Sequence, residues 1–91
     1  MAKRKDLKTG ISYLCTELIS ETVATSLYDS RQNQGNILST INAIIRMRKD
    51  YLSRVSHVEP GMKPKLYFKS IKDSFMRDYE EMLETISNLH E

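Results

Sequence analysis

The sequence predicts an all-α fold, an antiparallel up-down-up bundle of three helices. Three observations lead there. Apolar residues recur at steps of three and four along three long stretches. Two short polar breaks, "DSRQNQGN" and "EPGMKP", separate those stretches. Three glycines and two prolines in 91 residues are few for the many turns of an all-β domain. A chain of this length makes a single helical domain, residues 1–91, and buries roughly 60–65% of its unfolded surface without metal or disulfide. A longer helical hairpin that completes its core as a dimer is the alternative.

The first helix is expected over residues 6–29. Leu7, Ile11, Leu14, Cys15, Leu18 and Thr22 share one stripe at about 100° per residue. Asp6 is the candidate N-cap, since its carboxylate can accept from the free amides of the first turn. Gly10 weakens those turns by about 1 kcal/mol relative to Ala, so a later start is the alternative.

The second helix is expected over residues 37–57, with Gly35 supplying a positive φ and Asn36 the cap. Its stripe is Ile37, Ile41, Ile44, Ile45, Arg48, Tyr51, Leu52 and Val55. Arg48 stands at the centre of that set. A buried, unpaired guanidinium would be prohibitively unfavourable. The residue therefore needs a partner, or it must pack its methylenes and lift its head to the rim. Folding the second helix back on the first sets Arg48 level with Glu17 to Glu21, which makes Arg48–Glu21 the expected structural ion pair and Asp78 the second choice.

The third helix is expected over residues 64–89. Pro64 suits its first turn, where a missing N–H leaves no bond unmade. Phe68, Ile71, Phe75, Tyr79, Met82, Ile86 and Leu89 step by three and four along it.

This order gathers charge. The start of the first helix, the end of the second and the start of the third meet at one pole. Residues 1–8 and 54–72 hold Lys3, Arg4, Lys5, Lys8, Arg54, Lys63, Lys65, Lys69 and Lys72 against Asp6 and Glu59, a net +7. The remainder holds five cations and ten acids, a net −5. In the third helix the lysines crowd the N-terminal half and the acids the C-terminal half, opposite to what the helix dipole favours. Free amides and ammonium groups at such a pole make an anion site, with Lys3, Arg4, Lys5, Lys8, Arg54, Lys63, Lys65 and Lys69 as its candidate residues. Tyr67 and His57 could add hydrogen bonds there. Nucleic acid or another polyanion would be its ligand. The first break and second helix give the one stretch with a helix-turn-helix outline, and its turn exceeds the usual three or four residues.

Apolar residues are also left over. Ile19, Val23 and Leu27 run along a flank of the first helix, and Met76 and Leu83 flank the stripe of the third. They widen the core, or they form the interface of a homodimer or a protein partner.

Enzymatic chemistry is not expected. His57 and His90 belong to no HxxxH or HExxH pattern, and no GxGxxG or GKS/T motif occurs. Cys15, the one cysteine, reads as a small core hydrophobe. No catalytic residue, metal or cofactor is expected. The start "MAKRKDLKTG" has a basic beginning with no apolar run behind it, so no signal peptide is expected. No stretch is apolar enough to cross a membrane. One thiol without a partner fits a reducing cytoplasm. The sequence thus reads as a non-enzymatic cytoplasmic interaction module that binds a protein or itself, with polyanion binding at the basic pole as the alternative.

Overall fold

The computed structural model describes residues 4–28, 34–57 and 60–89. It contains three helices, α1 (Arg4–Tyr28), α2 (Gln34–Ser56) and α3 (Pro64–Asn88). Helices of this size are roughly 37 Å long. Lying side by side they form a rod of 49 × 19 × 16 Å. All three pack on one another, and α1 and α2 make the closest pair.

Two contacts fix the direction of α3. Near one pole the Tyr67 hydroxyl lies 3.0 Å from the carbonyls of both Arg54 and His57, at the end of α2. Near mid-length the Tyr51 hydroxyl donates to Asp78 Oδ2 at 2.5 Å. α3 therefore runs antiparallel to α2 and parallel to α1, the expected up-down-up order.

The core joins Ile11, Cys15 and Leu18 of α1 to Ile44, Tyr51 and Val55 of α2 and Ile71, Phe75 and Ile86 of α3. Tyr51 meets Phe75 edge-on, with ring centroids 5.2 Å apart. Such a geometry sets the positive edge of one ring against the negative face of the other.

Three threonines share this interior. Thr22, Thr25 and Thr40 are buried, and each Oγ1 donates to the carbonyl four residues earlier, on Leu18, Glu21 and Asn36 respectively. The hydroxyl is thereby satisfied inside its own helix. A short methyl face remains at the contact. The chain turns between Tyr28 and Gln34, and both helices rise about 1.5 Å per residue, so Thr22 lies level with Thr40. Small side chains at one level bring the two backbones close.

The helix starts differ from the sequence expectation. α1 begins at Arg4 and runs through Gly10, which places Asp6 inside the first turn, where its charge suits the dipole, and not at the cap. α2 begins at Gln34, so Gly35 and Asn36 are helical. Positive φ among the described residues belongs to Gly61, at 85°, in the second break. Once α1 and α2 pair closely, tertiary packing outweighs the local weakness of a glycine.

The stripe of α2 also shifts. Ile37, Thr40, Ile44, Tyr51 and Val55 are buried and Met47 is half-buried, whereas Ile45 and Arg48 are exposed. The sequence stripe was centred too far round because it counted Ile45 as core and left out Thr40 and Met47.

Candidate interaction surfaces

Arg48 sits at the rim of the α1–α2 contact. It is exposed, as is Glu21, and the ion pairs among the described residues are Arg54–Asp50 at 2.9 Å, Lys69–Asp73 at 3.6 Å and Arg77–Asp78 at 3.7 Å. The guanidinium is still near enough to the buried Cys15 to act on it electrostatically. Burial pushes the Cys15 thiol up, and Arg48 partly opposes that rise. A protonated, enclosed thiol is inert and packs as a small hydrophobe.

The basic pole forms as the topology requires. Among its described residues Arg4, Lys5, Lys63, Lys65, Lys69 and Lys72 are exposed and Lys8 is half-buried; Lys3 and Glu59 lie outside the described residues. Two of its cations have partners. Arg54 binds Asp50 and stacks 4.8 Å above the Tyr51 ring, and Lys69 binds Asp73. Tyr67 and His57 do not point to an anion. The Tyr67 hydroxyl engages the Arg54 and His57 carbonyls, and His57 Nδ1 lies 2.8 Å from the Ser53 carbonyl, so both are occupied at the end of α2.

A second surface lies along α1 and α2. Ile19 follows buried Leu18, Val23 follows Thr22, Ile41 follows Thr40 and Ile45 follows Ile44. One residue turns a right-handed helix by about 100°. In an antiparallel pair that step carries both helices toward the same side. These residues therefore share one outer face of the α1–α2 pair. Val23 is 45% exposed, Leu27 78%, Leu38 63% and Ile45 46%, while Ile19 and Ile41 are half-buried beside them. α1 is for this reason apolar on two sides, with threonines inside and valine and leucine outside.

The five residues singled out from sequence as an interface thus separate. Ile19 packs partly on the core, Val23 and Leu27 lie on the α1–α2 face, and Met76 and Leu83 lie on α3, which does not border it. Leu38 and Ile45 were missed. Ile45 was absorbed into the core stripe, and Leu38 was assigned to no face.

The opposite flank of α2 forms an open groove with α3, of about 500 Å³. Its lining includes Arg46, Met47, Asp50, Tyr51, Asp78 and Glu81. Tyr51 and Asp78 are spent on each other and Asp50 on Arg54. No group of three or more potential metal ligands occurs among the described residues. None of their helices is long and apolar enough to cross a membrane.

Comparison of the chain with known protein families, curated proteins and solved structures gives no match.

Proposed function

We propose that this chain is a non-enzymatic helical interaction module that binds another protein or a copy of itself, through the outer face of α1 and α2. The observation that carries this reading is the grouping of Val23, Leu27, Leu38 and Ile45 in solvent on one side of a helix pair whose core is already filled. Clustered exposed apolar side chains favour a partner because covering them releases water. One buried thiol fits action in a reducing cytoplasm.

Photo-crosslinking in the native cell tests this. A photoreactive residue at Leu27 should give a discrete adduct that Ile45→Lys abolishes. The same label at Glu84 should give none of it. An adduct pattern that ignores both the label position and Ile45→Lys would end the proposal.

A second reading is nucleic-acid or other polyanion binding at the basic pole. It is favoured by the exposed cations Arg4, Lys5, Lys63, Lys65 and Lys72, which form no ion pair among the described residues. Several phosphate contacts would make affinity fall steeply with salt. Absence of binding to duplex DNA, RNA and polyphosphate at low salt would dispose of it.

A further inference from the structure

The α1–α2 face has a charge pattern that bears on what covers it. Among the described residues the carboxylates of these two helices are Asp6, Glu17, Glu21 and Asp50. Asp50 lines the groove with α3, on the other side of α2. Asp6, Glu17 and Glu21 lie roughly 100°, 120° and 160° round α1 from Val23. Among the described residues the face therefore holds no acid within about 100° of Val23. It carries cations: Lys8 and Arg48 border it, and Lys49 stands beside Ile45 at its edge. Arg48 and Lys49 lie about one turn beyond Ile45 along the rod, toward the basic pole.

We infer that the occupant of this face is an acidic amphipathic helix of another protein. The inference rests on the reading of the face as a binding surface and adds the chemistry of the partner. A helix laid along the shallow trough between α1 and α2 sets an apolar stripe on Val23, Leu27, Leu38 and Ile45. One turn beyond Ile45 its Asp or Glu side chains reach Arg48 and Lys49, and about 9 Å farther on they reach Lys8. Charges of opposite sign across the rim speed encounter and fix which way the helix lies. A second copy placed face to face brings apolar side chains but, among its described residues, no carboxylate within about 100° of Val23 on α1, so the cations gain little from it. The trough with a helix in it becomes a four-helix arrangement in which α1 uses both of its apolar sides.

The test selects 20-residue helical peptides, with charge and apolar positions randomised, on the 91-residue chain. Counter-selection uses the Val23→Lys/Ile45→Lys variant. A second variant, Leu27→Glu/Leu38→Glu, serves if the first does not keep its helical circular dichroism; all four positions are exposed. The expected winners carry apolar residues every three or four positions and more Asp and Glu than Lys and Arg. Arg48→Glu should weaken them at least tenfold, and added salt should weaken them further. Winners that need the face but are neutral or basic would overturn the acidic partner and leave the face as a binding surface. No enrichment over the variants would overturn both. Dimerisation of the protein through Val23 and Ile45, or their insertion into vesicles of phosphatidylcholine and phosphatidylserine in preference to any peptide, would also overturn the inference.

Discussion

Tyr51 carries more of the interior than its neighbours do. Its ring packs against Phe75 and its hydroxyl donates to Asp78. Burial, and then the Asp78 hydrogen bond and charge, push its phenol up to about 12 from the usual 10. Below pH 10 the folded and unfolded chains both hold the proton and this group adds no pH dependence. Between pH 10 and about 12 the unfolded chain gives it up while the folded chain keeps it, so stability falls as pH rises through that window. Urea titrations at steps across it should show the fall, and Tyr51→Phe should flatten it. At neutral pH Tyr51→Phe should cost about 1–2 kcal/mol, since it strips a charge-assisted bond from a partly exposed carboxylate. Arg48 is the opposite case. A double-mutant cycle on Arg48 and Glu21 should return a coupling below roughly 0.5 kcal/mol, because both groups remain hydrated. A larger value would mean that the two side chains meet in solution. Arg48 also shows the limit of reading single residues from a wheel. The pattern of hydrophobes alone centred the stripe on it, whereas Met47 and the self-satisfied Thr40 occupy the inner positions. A threonine whose hydroxyl bonds back into its own helix behaves as an apolar residue, and no composition rule distinguishes it from one that does not.

The helices themselves were legible, and their ends less so. α3 begins at Pro64 as expected, because proline marks its own place in a helix. The starts of α1 and α2 were placed two or three residues late, since Gly10, Gly35 and Asn36 argue locally for a boundary that packing overrides. What joins α1 to α2 was partly legible: Thr22 was in the expected stripe, and Thr25 and Thr40 were not. Their small size at the crossing gives a measurable consequence. Thr22→Leu adds volume at the level of Thr40 and should destabilise the protein by about 1–3 kcal/mol in denaturant unfolding. Thr22→Val keeps the shape and removes a hydroxyl whose bond is wholly local, so it should change stability by less than about 1 kcal/mol. Equal losses for the two variants would refute close approach of the backbones as the reason for threonine there.

At the scale of the whole molecule, the antiparallel order gathers the cations at one pole, and that followed from the sequence as soon as the order of helices did. The separation, among the described residues, of the exposed apolar face of α1 and α2 from the carboxylates Asp50, Asp78 and Glu81 on the other flank of α2 did not, because it depends on which flank of α2 faces α3. The same asymmetry governs opening. α1 and α2 form the closest pair, and α3 lies less intimately against both. Hydrogen exchange should therefore release the amides in the middle of α3 before those in the middle of α1 and α2. Uniform protection of all three helices would show instead that the rod opens as one unit.

The Tyr67 phenol stands where the chain leaves one rod and enters the next. It satisfies the end of α2 from within the first turns of α3. Unravelling at that pole is consequently shared: α3 cannot peel away without breaking the Tyr67 contacts with the Arg54 and His57 carbonyls, and α2 cannot fray there without loosening the foot of α3.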